Sequence, residues 1–242
     1  MDFEMAESDS KLPSRKSSNA DVATFLSKVA ATPMNKRAGQ RGRLIFALDA
    51  TASRQPTWDR ASRTQGEMFG ATTSLGGLEI QLAFYRGFGE FRVSPWTAQS
   101  AELLERMISV FCLAGETQLR KVLRHAINET GKQKVNALVF VGDCLEEDVD
   151  EVGHVAGELG LVGVPAFMFQ EGADPIASFA FEQVARLTNG AHCRLDSSSA
   201  QTLRDLLSAV AVFAAGGRPA LEDLAKRRGG EALRLVHQVK RG

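Results

Sequence analysis

An acid and two hydroxyl groups alternate along a short stretch that follows an apolar run of the chain. Asp49, Thr51 and Ser53 come directly after Leu44–Leu48. Because these residues occupy the turn that leaves a predicted buried strand, we expect their side-chain oxygens to converge on one side of a loop. Small divalent cations such as Mg²⁺ prefer a few oxygen ligands, with further positions left open for water or a partner. The stretch therefore predicts an oxygen-rich cation site.

Two more oxygen-bearing residues lie at comparable places further along the chain. Thr117 follows a Gly-Glu pair and precedes a helical pattern, 68 residues after Asp49. Asp143 ends the apolar run that begins at Ala137, 94 residues after Asp49. Each residue taken alone is better explained locally, because Thr51, Ser53 and Thr117 are residue types that cap helices and Asp143 would suit any loop. Their combination favours a shared metal site.

The combined pattern resembles the von Willebrand factor A family, over about Arg43 to Gly216. That family carries a metal-ion-dependent adhesion site with the pattern Asp-x-Ser-x-Ser, followed by a distant Thr and a distant Asp. This chain has Thr at the first Ser position, which keeps the hydroxyl group, and Cys144 where the family often has Gly after the last Asp. The matching residues are Asp49, Thr51, Ser53, Thr117 and Asp143.

The resemblance implies a specific role for each ligand. Asp49 would anchor a Mg²⁺ or Mn²⁺ ion directly or through water, and Ser53 and Thr51 would add hydroxyl oxygens. Thr117 and Asp143 would complete the ring, one in direct contact with the ion and the other behind it. The remaining position would receive a carboxylate from a protein partner.

Four residues beside these loops are candidates for contacting that partner. Arg54, Gln55 and Trp58 follow the first loop, and Glu116 precedes the threonine of the second. Trp and Arg are frequent anchors of protein interfaces. The alternative for Trp58 is that its ring packs against the sheet.

The elements that must position these residues alternate between strand and helix patterns. Leu44–Leu48, Ala137–Val141 and Val164–Phe169 are continuous apolar runs, which are typical of parallel strands buried on both faces. We therefore expect an α/β fold of the Rossmann-like, doubly wound type. Its sheet would be mostly parallel with one antiparallel edge strand and helices on both faces. Ligands of such sheets bind beyond the carboxyl ends of the strands, where two of the candidate acids lie. The other predicted strands are 78–85, 87–93 and 191–195, and the predicted helices are 19–31, 56–72, 100–113, 117–130, 146–159, 176–187 and 200–214.

Composition divides the chain into three parts. Residues 1–43 are expected to be a disordered basic arm with a short helix, 44–217 the von Willebrand factor A-like domain, and 218–242 a basic amphipathic helical tail. The central part carries 14 basic and 21 acidic residues although the whole chain is neutral. The tail is expected to pack on its own domain, with a partner-binding stripe as the alternative.

Charge and cysteine usage limit the classes of function. A net charge of zero gives no reason to expect a nucleic acid or a membrane as partner. Three widely spaced cysteines, Cys112, Cys144 and Cys193, are typical of free thiols in a reducing compartment, so we expect a cytoplasmic protein. The longest apolar stretch, Leu206–Ala215, is too short to span a bilayer.

The interpretation we prefer is a protein-interaction module without enzymatic activity that works inside a larger complex. The sequence has no Gly-x-Ser-x-Gly elbow and no phosphate-binding glycine loop after a strand. A Mg²⁺-dependent phosphoryl-transfer enzyme with Asp49 as nucleophile is one alternative, although Thr51 stands where such enzymes usually carry a second Asp. A scaffold that binds no metal is the other.

Overall fold

A computed structural model of the protein describes residues 19–32, 41–72, 77–195 and 200–228. Most of the predicted N-terminal arm and the last 14 residues of the predicted tail lie outside these ranges. The described strands are β1 (Gly42–Asp49), β2 (Leu78–Arg86), β3 (Glu90–Val93), β4 (Ala137–Gly142), β5 (Ala166–Glu171) and β6 (Ala191–Leu195). The helices are α1 (Asn19–Ala31), α2 (Gln55–Thr72), α3 (Ser100–Ile108), α4 (Leu119–Lys132), α5 (Val149–Leu161), α6 (Pro175–Leu187) and α7 (Ala200–Arg228), and a 3-10 turn (Ala52–Arg54) precedes α2.

The strands form one sheet in the order β3-β2-β1-β4-β5-β6. All neighbouring pairs are parallel except β2 and β3, which form an antiparallel hairpin. Every residue of β1, β4 and β5 is buried, which is why these strands are continuous apolar runs in the sequence. The predicted doubly wound sheet with an antiparallel edge strand is confirmed.

Alternate residues of the strands point into two separate hydrophobic cores. Leu44, Phe46 and Leu48 of β1 face a core built with α1, α2, α3 and α7. Ile45 and Ala47 face the core that is built with α4, α5 and α6. The sheet is thus covered on both faces, and its carboxyl edge is left for the connecting loops.

Helix α1 is part of the first core. Phe25 and Val29 are fully buried, and the Phe25 ring lies 5.0 Å from that of Phe169 on β5 and 6.1 Å from that of Phe167. A fully buried aromatic ring contributes strongly to the stability of a hydrophobic core. Over these residues the N-terminal segment packs on the sheet as the other helices do.

Helix α3 ends five residues earlier than its apolar pattern predicts. The backbone amide of Leu113 donates to the carbonyl of Ala50 at 3.0 Å, and that of Cys112 donates to Gln55 Oε1 at 3.1 Å. These long-range bonds take the amides that would continue the helix. Phe111, expected on the apolar face of the helix, lies instead in an exposed loop.

Helix α5 begins at Val149 instead of Glu146. Asp148 caps it, because its Oδ1 accepts from the amide of Glu151 at 2.9 Å. Glu147 turns away to the first turn of α4, where it accepts from the backbone amides of Leu119 and Arg120. A carboxylate at a helix N-terminus is favourable whichever part of the chain supplies it.

Helix α7 contains a break at Gly217, three residues beyond the predicted end of the helix 200–214. Gly217 has φ 71° and ψ −166°, a conformation that glycine adopts readily and that ends the first helical segment. Pro219 lies in the first turn of the segment that follows, where its missing amide hydrogen costs nothing. In the described part of the chain, no helix has both the length and the apolar character that crossing a bilayer requires.

Candidate metal centre

Two carboxylates meet at the carboxyl edge of the sheet. Asp49 is the last residue of β1, and Asp143 directly follows β4, the parallel neighbour of β1. Potential ligand atoms of Asp49, Asp143 and Cys144 all lie within 4.8 Å of one another. Parallel neighbours end at the same edge, so the topology alone brings together residues that are 94 positions apart in sequence.

Asp49 is buried with half of its hydrogen-bonding capacity used. Its side chain is 2% exposed, and Oδ1 accepts from the amide of Thr51 at 2.7 Å. Oδ2 is buried and accepts no hydrogen bond of normal geometry from a described residue, although the buried hydroxyl of Tyr85 interacts with this carboxylate. Burial raises the pKa of Asp49 to about 6; hydrogen bonds from Thr51 oppose this, nearby Asp143 adds to it, and Arg54 opposes it. The carboxylate therefore lacks a sufficient positive counter-charge.

Asp143 is held from one side only. Its Oδ2 accepts from Ser53 Oγ at 2.8 Å and lies 3.7 Å from Arg54 Nη1. Its Oδ1 is buried and receives no hydrogen bond of normal geometry from the described residues, although the Cys144 thiol interacts with this carboxylate. Each of the two aspartates therefore presents one unused carboxylate oxygen at the edge of the sheet.

The two threonines do not serve as helix caps. Thr51 precedes the 3-10 turn, but its side chain makes no capping hydrogen bond. Thr117 Oγ1 accepts from the amide of Glu146 at 2.9 Å, while the amide of Thr117 donates to Glu146 Oε2 at 2.8 Å. These reciprocal bonds tie Thr117 to the loop that carries Asp143. The local explanation for the two threonines, helix capping, is thus not observed.

Arg54 forms a buried ion pair behind the two aspartates. Its Nη1 lies 2.9 Å from Glu171 Oε2, and Thr57 Oγ1 donates to the same carboxylate oxygen. Sequence reasoning did not identify this pair. The available signal was that Glu171 ends β5, as Asp49 ends β1 and Asp143 follows β4.

Cys144 is a neighbour of the site with limited power as a ligand. Burial, with the nearby Asp143 and Glu146, raises the pKa of its thiol to about 12. A neutral thiol is a poor ligand for Mg²⁺ or Mn²⁺, which prefer oxygen. The donor set is therefore oxygen-dominated, and two buried carboxylate oxygens without donors fit a hard divalent cation.

The four predicted partner-contact residues divide into two pairs. Arg54 is 3% exposed and Trp58 is 2% exposed, so neither has a surface to offer a partner. The indole Nε1 of Trp58 donates to the carbonyl of Met107 at 2.8 Å. Trp58 therefore packs in the core, as the alternative to partner contact predicted. Gln55 is half-buried and holds the loop at Cys112, whereas Glu116 is exposed.

No protein-family model matches the chain, and no curated protein sequence is similar to it. Solved structures are similar in fold. The von Willebrand factor A domain of SpRpn10 matches with a TM-score of 0.53 and 16% identity, over 69% of this chain and 94% of that one. An aerotolerance-related membrane protein from Bacteroides fragilis matches with a TM-score of 0.52 and 17% identity, over 68% and 96%.

A further structure of similar fold is described with a bound metal of its own. Proximal thread matrix protein 1 from the mussel byssus, described with a zinc-occupied adhesion-site motif, matches with a TM-score of 0.54 and 12% identity. The match covers 71% of this chain and 48% of that one. At these identities the likeness concerns architecture alone. This chain therefore has the von Willebrand factor A fold, as the strand order of its sheet, the helices on both faces and these structural matches show.

Proposed function

We propose that the protein is a metal-dependent interaction module that binds a carboxylate of a protein partner through Mg²⁺ or Mn²⁺. The observation that carries the proposal is the pair of buried oxygens, Asp49 Oδ2 and Asp143 Oδ1, to which no described residue donates a hydrogen bond of normal geometry. Buried polar atoms in folded proteins are normally paired, and a bound ion is one explanation of an exception. A bound cation would supply both the missing counter-charge and an open coordination position.

The residues of the proposed site have different roles in holding the cation. Asp49 and Asp143 bind the cation, and the hydroxyls of Thr51, Ser53 and Thr117 complete or support the set of oxygens. Arg54 limits the negative charge of the site, because its guanidinium already lies 3.7 Å from Asp143. Two aspartates balance the two charges of the ion, so the site attracts a further carboxylate only when one of them binds through water, and the partner then provides that carboxylate.

The alternative reading as a phosphoryl-transfer enzyme has less support. Asp49 is only 2% exposed and one of its oxygens is held by Thr51, so it is poorly placed to attack a substrate. Turnover of a simple phosphate ester in the presence of Mg²⁺, lost in Asp49→Asn, would overturn the proposal of a non-enzymatic module.

The proposed cellular setting is the cytoplasm, with protein as the partner and with no nucleic acid or membrane involved. All three cysteines are free thiols, and Cys193 is buried. The neutral net charge supports the choice of a protein partner over a polyanion. Fractionation of cells that express the tagged chain tests the location.

The experiment that tests the metal site is calorimetric titration of the full chain with Mg²⁺, Mn²⁺ and Zn²⁺. We expect saturable binding by the native protein. In chemical denaturation, the free energy of unfolding should rise by about 2.7 kcal/mol when the free metal concentration is a hundred times the dissociation constant. Asp49→Ala and Asp143→Asn should both remove the effect. Asp150→Asn is the matched control, because it removes an exposed acid on α5.

The three ions separate the possible outcomes. Preference for Mg²⁺ or Mn²⁺ supports an oxygen-ligated site, whereas tight Zn²⁺ binding that Cys144→Ser abolishes would make the thiol a ligand. Absence of binding by the native protein for all three ions would contradict the proposed function.

A further inference from the structure

Large apolar side chains are exposed in the loops beside the candidate metal site. Phe88 is 85% exposed, Phe111 is 70% exposed and Leu113 is 48% exposed. We call these three residues the apolar rim. A single exposed apolar residue needs no explanation, but several on adjoining loops indicate a surface that another molecule covers.

Backbone hydrogen bonds attach the apolar rim to the metal-site loops. The amide of Leu113 donates at 3.0 Å to the carbonyl of Ala50, the residue after Asp49. The amide of Glu116, beside Thr117, donates at 3.3 Å to the carbonyl of Gly87, the residue before Phe88. The rim therefore belongs to the same frame as the metal site.

Close backbone packing keeps these loops together. A Cβ atom built on Gly115 would lie 2.1 Å from the carbonyl oxygen of Gly87, so only glycine permits the observed approach. Gly87 and Gly89, with φ of 58° and 103°, form the tight turn that carries Phe88 at its tip.

Arg86 joins the hairpin to the second rim loop. Its Nη1 donates at 2.7 Å to the carbonyl of Phe111, and its Nε donates at 3.0 Å to Glu90 Oε2. The rim side chains are thus displayed on backbone that is already ordered. A surface that is ordered before binding loses less conformational entropy when a partner arrives.

The charges around the hairpin favour an acidic segment. Arg92 is 69% exposed, and Lys121 reaches the turn, where its Nζ donates to the carbonyl of Gly89 at 3.1 Å. With Arg86 they place three cations around the tip of the hairpin, where the described carboxylates are those of Glu90, which pairs with Arg86 and Arg92, and of the neighbouring Glu116. Positive charge at the edge of an interface steers acidic partners toward it.

We propose that the apolar rim selects the partner: a protein segment whose metal-binding carboxylate is flanked by aromatic or aliphatic side chains. This inference rests on the proposed function, because the carboxylate needs the cation. Metal coordination by itself accepts any accessible acid, so discrimination among acidic segments must come from neighbouring contacts. Aromatic anchors beside a charged contact supply it by burying apolar area.

The test uses immobilised twelve-residue peptides and the full-length chain in excess Mg²⁺. One pool carries a central Asp flanked by Leu and Phe, a second has the same Asp flanked by Ser and Gly, and a third has Asn in place of the Asp. We expect binding to the first pool alone, and its loss with a chelator. Phe88→Ser and Phe111→Ser should each weaken that binding at least about tenfold.

The controls separate this inference from the metal site. Leu161→Ser removes an apolar side chain that is 90% exposed on α5, and it should leave peptide binding unchanged. The rim variants should bind Mg²⁺ as the native chain does in calorimetry, because none of the rim residues is a proposed ligand. Native calorimetry without a metal signal would instead count against the proposed function itself.

Three results would overturn the role of the rim while leaving the metal site intact. The first is equal binding of the Leu/Phe and Ser/Gly pools, and the second is no peptide binding by a chain that binds Mg²⁺. The third is a dimer in sedimentation that Phe88→Ser dissociates, which would assign the surface to a second copy of the chain.

Discussion

At the scale of single residues, the carboxyl edge of the sheet carries two carboxylates whose negative charge is only partly compensated. Asp49 and Asp143 bring two carboxylates together, and Arg54 lies close enough to compensate one of them only in part. Burying a carboxylate without a full partner costs stability, which is the reason that the pKa of Asp49 rises to about 6. The same imbalance that weakens the metal-free protein favours binding of a cation.

Asp49→Asn should therefore stabilise the metal-free protein and remove its response to metal. Because the folded-state pKa lies above the unfolded value, the cost of the charged carboxylate is fully present above about pH 6. At pH 7 the amide should raise the free energy of unfolding, by at most about 3 kcal/mol, while Mg²⁺ adds nothing further. Urea unfolding with and without Mg²⁺ measures both effects. An Asn variant less stable than the metal-free native chain would contradict this account.

Arg54→Met should destabilise the protein strongly. The change leaves the buried carboxylate of Glu171 without its guanidinium partner, a loss that typically costs about 3–5 kcal/mol. Adding Glu171→Gln removes the uncompensated charge and should restore part of the stability, so the two effects should not be additive in chemical denaturation. Arg63→Met, at an exposed position on α2, is the control and should change stability by less than about 0.5 kcal/mol. Additive effects would show that the ion pair is not coupled.

At the scale of elements, buried polar side chains link the sheet to neighbouring groups. His192 on β6 lies with Nε2 3.2 Å from Gln170 Oε1 on β5, and its ring meets Phe181 of α6 edge-on. Burial, with smaller effects from Lys28 and Arg194, lowers the pKa of His192 to about 4. The folded state therefore holds this imidazole neutral.

This edge of the sheet should lose stability in acid. The unfolded chain takes up a proton near pH 6.5, whereas the folded chain does so only near pH 4, so stability falls as pH drops through that window. The contribution of His192 is at most about 3 kcal/mol.

Denaturation midpoints between pH 4 and pH 7 isolate this dependence when all variants carry Asp49→Asn, because the raised pKa of Asp49 acts in the opposite direction over the same range. His192→Gln should flatten it, whereas His154→Gln, at a side chain that is 77% exposed, should leave it as in the native chain. An unchanged slope in His192→Gln would assign the acid sensitivity to other groups.

At the scale of the whole molecule, helix α1 closes one face of the sheet. Phe25 packs on β5, which is far away in sequence, with its ring near those of Phe167 and Phe169. Helix α7 packs beside α1 and carries Phe213, which meets Phe167 edge-on. The first core therefore includes a segment that precedes the first strand.

Phe25→Ala should destabilise the entire domain. Removing a buried aromatic ring costs about 3–5 kcal/mol, and unfolding should remain a single transition because α1 shares its core with the sheet. Leu161→Ala, at a residue 90% exposed on α5, is the control of similar chemistry and should have little effect. A Phe25→Ala protein that is as stable as the native chain would show that α1 contributes little to the core.

The sequence by itself determined the elements and the edge of the sheet at which the site lies. Continuous apolar runs predicted buried parallel strands, and β1 and β4 are such strands. Acids at their ends predicted that Asp49 and Asp143 would meet, since parallel neighbours end at a common edge. Periodicity and strand ends are local properties, so they can be obtained from the order of residues alone.

The tertiary structure alone decided which side chains face inward and which remain on the surface. Arg54 turns inward because Glu171, 117 residues away, ends a strand of the same sheet. The predicted helix does not continue through Phe111 and Leu113, because the backbone amides of this loop donate hydrogen bonds to Ala50 and Gln55. Such pairings join residues distant in sequence, and only the packing of the whole chain selects them from the many that local patterns allow.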